Sequence, residues 1–319
     1  MLAAVARMLE RSRQGRVMVV RVDHPPHNFM NREMVAELDE LVRSLESDRE
    51  IGAVVITGKP EGLYVTHYDV AEILAGVKGV GLAPPPAVAG GLLRLTAAIK
   101  RIPGLREAAA RTPARGLLEL HLIHDVFLRM NRSDKVFIAA INGPATGGGC
   151  ELSLACDLRF AADIEIPIGL PEMTIGFNPG AGGTQRLTRL LGTGRALEMM
   201  LEGRTLSPRE AFEVGLVNRV VAPEDLVDEA IATGERLGRR APEAIRGLKR
   251  SVYEGAAGTL ESGLAAERKW FMSEAGLEQS LAAMEIYVSE VEQGVTPWAD
   301  PEARQRWQEG TVGGGGSGS

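Results

Sequence analysis

The stretch from Ile141 to Leu187 constrains this chain more than any other. It is fed by an apolar run, Val136 to Ile141, that reads as a buried strand. The run ends in Asn142-Gly143-Pro144, a turn signal. Three glycines, Gly147 to Gly149, then lead into a segment that predicts an amphipathic helix from about Gly148. Glycines at a strand-to-helix turn let backbone N–H groups come close to a ligand, and the helix dipole favours negative charge there. Glu151 stands one turn into the helix, and Glu172 follows 21 residues later, directly after Pro171. Backbone donors beside two carboxylates suit a reaction that builds an oxyanion while a proton or a water moves. Glu172 precedes an apolar run, so burial with a raised pKa is expected of it.

Upstream, the pattern alternates. Arg16 to Val22 reads as a strand, Arg32 to Leu45 has helical spacing, and Ile51 to Thr57 reads as a second buried strand closed by Gly58-Lys59-Pro60. This βαβ order argues for a layered α/β fold. There is no internal sequence repeat. Asp69 and Glu72 are spaced as a capping box, which predicts a helix from Val70 and turns the amide just before the cap outward. Pro179-Gly-Ala-Gly-Gly-Thr184 lacks the Gly-Lys-Ser/Thr ending of a phosphate loop and reads as a turn into a helix near Gly183. From about Pro223 onward the chain is nearly all helical, over 224–239, 242–254 and 259–293.

Composition narrows the function classes. A chain of 319 residues can bury a large core, and 24% charged with 45% hydrophobic residues is ordinary for a globular protein. A net charge of -6 gives no reason to expect nucleic acid. Cys150 and Cys156 are the only cysteines, and six apart on a helix they face different ways. Neither a disulfide nor a metal site is therefore expected. No run reaches signal-peptide or membrane-span length, so no membrane association and a cytoplasmic location are expected. Residues 313–319, Gly-Gly-Gly-Gly-Ser-Gly-Ser, read as an appended linker.

The segments Asn-Gly-Pro-Ala-Thr-Gly-Gly-Gly-Cys-Glu-Leu at 142–152, Cys-Asp-Leu-Arg-Phe-Ala at 156–161 and Pro-Glu-Met-Thr-Ile-Gly-Phe-Asn-Pro-Gly-Ala-Gly-Gly-Thr-Gln-Arg-Leu at 171–187 resemble the crotonase (enoyl-CoA hydratase/isomerase) superfamily. So does Gly-Arg-Thr-Leu-Ser-Pro-Arg-Glu-Ala-Phe-Glu-Val-Gly-Leu-Val-Asn-Arg-Val-Val at 203–221, and the resemblance runs from about Arg16 to Val252. It implies a ββα spiral core over residues 1–222 and a helical appendage over 223–312 that supports a homotrimer or a dimer of trimers. It implies an acyl-CoA thioester as substrate and no separate cofactor, CoA being part of the substrate. The amides of Tyr68 and Gly148 would form the oxyanion hole, with Glu151 and Glu172 as the catalytic carboxylates. Asn28, Phe29, Met30, Thr66, His67, Val70 and Gly147 would line the thioester and CoA site by position match. Tyr64 matches an aromatic packing position and is expected in the core.

Two glutamates holding one water suit hydration of a 2-enoyl-CoA. Isomerisation, C–C cleavage or thioester hydrolysis on the same oxyanion hole are the alternatives within the family, and a non-catalytic acyl-CoA-binding subunit is the alternative outside enzymes. Several positions depart from the family pattern. His67 stands where glycine is usual, and glycine tolerates positive φ far better. Thr66 replaces alanine, Phe29 replaces a small residue, and Ala71 sits where some members place a lysine. A basic insertion, about 76–118, holds Lys78, Arg94, Lys100, Arg101, Arg106, Arg111 and Arg115 against the single acid Glu107. It reads either as a solvated excursion or as a lid or positive surface facing CoA phosphates. The Lys-Arg pair common near the family's C-terminus is missing.

Overall fold

The apolar runs are continuous because the main sheet is covered on both faces. In the computed structural model, which describes residues 7–80, 84–112, 114–310 and 312, the strands are β1 (Leu9–Gln14), β2 (Val17–Val22), β3 (Ala53–Gly58), β4 (Val136–Ile141), β5 (Ala145–Thr146), β6 (Leu158–Ala162), β7 (Ile168–Gly169), β8 (Thr205–Leu206) and β9 (Arg219–Val221). The expected linker at 313–319, and residues 81–83 and 113 of the insertion, lie outside the described residues. A six-stranded sheet has the order β1-β2-β3-β4-β6-β9, parallel except for the antiparallel β1–β2 hairpin. A small sheet has the order β5-β7-β8.

Side chains alternate along each strand, so β2, β3 and β4 send residues both ways. Val20, Val22, Val54, Ile56, Phe137, Ala139 and Ile141 join the larger core with the helices Arg32–Ser44, Arg115–Arg132 and Gly148–Ala155. Val17, Val19, Ala53, Val55, Ile138 and Ala140 face the helix Leu226–Gly238 through Leu226 and Ala230. The fold is thus layered α/β, as expected. Tyr64 is fully buried in the larger core.

Four elements differ from the reading of the sequence. Strand β1 was not expected, because its burial runs mostly exposed along Leu9–Gln14 and gives no apolar period. The helix Gly148–Ala155 is not amphipathic: all eight of its residues are buried, because it runs through the core. The expected helix over 259–293 is two helices, Leu260–Glu274 and Glu278–Glu292, interrupted around Gly276. A further helix, Pro301–Glu309, is capped by Asp300, whose carboxylate accepts the Ala303 N–H at 2.8 Å.

The helix Pro242–Gly255 is tied to the core by a buried cation. Lys249 Nζ donates to Met130 O at 2.8 Å, Lys135 O at 2.7 Å and Asp157 Oδ2 at 2.7 Å. Three acceptors satisfy the ammonium, which is what permits its burial. Leu260–Glu274 packs on this helix in turn, with Gly255 and Gly263 in close approach.

Candidate active site

Two separate segments are laced together to make the centre of the site. Thr146 donates to Thr66 O through its N–H and its hydroxyl, both at 2.8 Å. Gly149 comes so near this segment that a Cβ on it would lie 1.7 Å from Val65 O. A Cβ on Gly148 would lie 3.0 Å from both Tyr68 N and Tyr68 Cβ. Gly147 takes φ +48, a conformation glycine adopts without strain. The glycine run therefore answers first to close approach of 65–68, and that approach brings the amides of Tyr68 and Gly148 side by side. Among the described residues neither amide donates to another group.

The Tyr68 segment is held from its other edge. Met30 N–H donates to His67 O at 2.8 Å, and Asp69 N–H donates to Met30 O at 2.7 Å. His67 fits without left-handed backbone: among the described non-glycine residues only Asn28, φ +51, has positive φ. Its ring stacks on Phe29 with centroids 4.1 Å apart, and Phe29 stacks on His27 at 4.9 Å. Two of the departures from the family pattern, Phe29 and His67, are thus one packing unit. Asp69 caps the helix Val70–Val80 by accepting the Ala71 N–H at 2.8 Å. The expected capping box is not completed, because Glu72 turns to Arg32 and Tyr68 instead.

Glu151 is buried, and its Oε1 accepts the N–H groups of Ala181 at 2.7 Å and Gly183 at 2.8 Å. The Pro179–Thr184 turn, with Gly182 at φ +101, wraps this carboxylate at the N-terminus of the helix Gly183–Leu191. Oriented amides and the helix dipole favour the charged form. Burial pushes the Glu151 carboxyl up; the two amides and Arg186 pull the other way. Arg186 donates to Ala181 O at 3.1 Å and to Asn131 Oδ1 at 3.2 Å, bracing the same turn.

Glu172 begins a short 3-10 helix, Glu172–Ile175, and is 8% exposed. Its Oε2 is buried with no hydrogen-bond partner among the described residues. Burial first, and the Glu151 charge as well, push its carboxyl up to about 7. Its Oε1 lies 3.3 Å from where a Cβ on Gly147 would be, and His67 Cβ lies 3.7 Å from the same point. One corner of the molecule therefore holds Gly147, Gly148, Tyr68, His67 and Glu172, with Glu151 close enough to raise the Glu172 pKa.

The remaining expected residues divide. Thr66, Phe29 and Val70 are at least partly exposed near this corner. The side chains of Asn28 and Met30 are buried. Asn28 uses its carboxamide to accept the His24 N–H at 2.8 Å and to donate to Val22 O at 3.1 Å and Tyr64 O at 2.9 Å. The amides of Ala181 and Gly183, and Arg186, were not singled out from the sequence. Their one signal in the sequence is the glycine-rich turn before the helix Gly183–Leu191. In the insertion, Lys100 pairs with Asp125 at 2.6 Å and Arg115 with Glu119 at 2.6 Å.

The family model for enoyl-CoA hydratase/isomerase matches residues 105–300. The short-chain-enoyl-CoA hydratase of Clostridium acetobutylicum is 30% identical over 277 residues, 86% of this chain and 92% of that protein. A probable enoyl-CoA hydratase of Rhizobium meliloti is 32% identical over 277 residues, 86% of this chain and 93% of its own length. Among solved structures, the enoyl-CoA hydratase from Bacillus anthracis superposes with a TM-score of 0.70 at 27% identity, covering 89% of this chain and 97% of that one.

Proposed function

Because the chain belongs to the enoyl-CoA hydratase/isomerase family, we propose that it adds water across the double bond of a 2-enoyl-CoA thioester. The thioester oxygen would sit between the N–H groups of Tyr68 and Gly148, which stabilise the enolate-like charge that forms as water attacks the β-carbon. Glu151, whose charge the Ala181 and Gly183 amides favour, takes the proton from the attacking water. Glu172, able to carry a proton near neutral pH, delivers one to the α-carbon. Return of the proton from Glu151 to Glu172 resets the pair, so the net change is the addition of one water.

The observation that carries this reading is the pairing of two buried carboxylates in unlike surroundings. Burial raises both; one is also held by two amides that favour its charged form, while the other, raised to about 7, has one oxygen without a partner among the described residues. Amide donors that stabilise a carboxylate suit Glu151 to the base, and an unshared oxygen on a carboxyl that keeps its proton near neutral pH suits Glu172 to the acid. Phe29, Thr66, His67, Val70 and Gly147 would contact the thioester and the CoA arm, with Asn28 and Met30 contributing through the backbone that carries them.

The same reading includes assembly and location. Leu264, Phe271, Leu281 and Met284 are exposed on the late helices, which supports a homotrimer or a dimer of trimers. A cytoplasmic location is part of the same reading, and Cys150 and Cys156 are free buried thiols. No helix among the described residues is long and apolar enough to cross a membrane. The test is a panel of 2-enoyl-CoA thioesters followed by loss of the conjugated-thioester absorbance. Turnover of at least one supports the reading; binding of the thioesters without turnover points to a non-catalytic subunit.

A further inference from the structure

The oxyanion segment is tied to the base of the insertion by a chain of charged side chains. Tyr68 OH donates to Glu72 Oε1 at 3.2 Å, and the same oxygen lies 2.8 Å from Arg32 Nε. Arg32 N–H also donates to Glu72 Oε2 at 3.3 Å. Arg32 Nη1 then lies 3.6 Å from Glu119 Oε1, and Arg115 Nε lies 2.6 Å from that oxygen. Arg32 opens the helix Arg32–Ser44, Glu72 lies in the first turn of Val70–Val80, and Arg115 and Glu119 begin Arg115–Arg132. Helices Val70–Val80 and Arg115–Arg132 are the two that bracket the insertion. Glu72 keeps only 13% of its side chain exposed, so this cluster is partly shielded from the screening that weakens surface pairs.

We propose that Glu72, with Arg32 and Glu119 behind it, positions the Tyr68 amide for the oxyanion, so that the clasp at the base of the insertion sets the strength of the oxyanion hole. This rests on the assignment of the Tyr68 N–H as a donor. The bridge to Met30 fixes residues 67 and 69 through their backbone but leaves the Tyr68 amide on the opposite side without a partner among the described residues. What fixes the residue's remaining freedom is its side chain, which leaves the chain beside Gly148 and ends on Glu72. Loss of that anchor lets the Tyr68 amide drift from the Gly148 amide. An oxyanion donor works only while aimed at the oxygen, and a small misplacement costs up to about a hundredfold in rate. Glu72, Arg32 and Glu119 touch no substrate in this scheme; they are positioning residues.

The test uses the full chain as Tyr68→Phe, Glu72→Gln, Arg32→Ala and Arg32→Lys. Arg43→Ala serves as a control, since it removes a pair with Asp39 outside the clasp and leaves Asp39 beside Arg129. Two readouts accompany thermal stability. One is kcat and KM on an active 2-enoyl-CoA. The other is the red shift of a bound 2,4-dienoyl-CoA, whose conjugated thioester is polarised by the oxyanion donors. Tyr68→Phe, Glu72→Gln and Arg32→Ala are expected to lower kcat roughly tenfold, to leave KM within about twofold, and to shrink the red shift. Arg32→Lys, which keeps a cation, recovers part of both. Should Glu72→Gln fail to fold, Tyr68→Phe carries the test, since it removes a single hydroxyl. An active wild type whose variants keep the wild-type kcat and red shift overturns the clasp alone. So do variants that lose stability and rate together with an unchanged red shift. A wild type with neither turnover nor red shift overturns the oxyanion assignment and the clasp with it.

Discussion

Replacing Glu172 by glutamine should destroy activity and stabilise the protein at the same time, with the stability gain confined to higher pH. The carboxyl is 8% exposed, has one oxygen without a partner, and is pushed from its ordinary 4.5 to about 7 by burial and by the Glu151 charge. The folded state therefore holds this proton more tightly than the unfolded chain does. The resulting stabilisation is full below the ordinary carboxylate value and is lost as pH rises through about 7. A displacement from 4.5 to about 7 is equivalent to at most about 3 kcal/mol. Relaxation of the surroundings around the charged form reduces this to about 1–2 kcal/mol. Glu172→Gln removes the charge while keeping the shape. Urea unfolding should show the variant matching wild type near pH 4 and exceeding it by about 1–2 kcal/mol near pH 8.5. Its kcat should fall by about two or more orders of magnitude, in line with removal of a general acid. In the wild type, kcat/KM should decline as pH rises through about 7, because the acid form of Glu172 is being lost. A stability difference that does not change with pH, or a variant that keeps its turnover, would refute the reasoning.

Three further outcomes follow from individual contacts. Glu151→Gln should lower kcat by about two orders of magnitude or more while CoA-thioester binding holds; full activity in this variant alongside loss in Glu172→Gln would replace hydration by isomerisation. Gly149→Ala places a Cβ 1.7 Å from the carbonyl oxygen of Val65. It should cost about 3 kcal/mol or more and lower activity by shifting the Tyr68 segment, read by thermal unfolding together with kcat. Lys249→Met leaves Asp157 without its buried cation, and should cost roughly 3–5 kcal/mol in urea unfolding.

What could be read from the sequence was what lies within a few residues along the chain. The β4 run, the Asn142-Gly143-Pro144 turn, the glycines and Glu151 form one local unit, and each stands where its pattern places it. The helix from Gly148 is the exception in kind. Its eight residues are buried on all sides because β4, β5, β6 and the helices Arg115–Arg132 and Gly183–Leu191 pack around it, which no helical period reveals. Contacts over long separations stayed hidden for the same reason. The amides that hold Glu151 lie 30 and 32 residues away. Glu72, spaced as half of a capping box with Asp69, instead meets the guanidinium of Arg32, 40 residues earlier in the chain, at 2.8 Å. A guanidinium in reach of a carboxylate outcompetes a single backbone N–H. Histidine at position 67 implied a constraint on the backbone, yet the segment needs no positive φ there, and its ring finds a partner in Phe29.

The pairing of two unlike glutamates around one water is tested most directly by running the reaction in 18O-labelled water with an active short 2-enoyl-CoA and reading the product by mass spectrometry. The expected product carries one labelled oxygen on the β-carbon and has gained the mass of one labelled water, at a rate abolished by either Glu151→Gln or Glu172→Gln. A product that has moved its double bond without gaining oxygen, or label found only in a released carboxylate, would contradict hydration at this site.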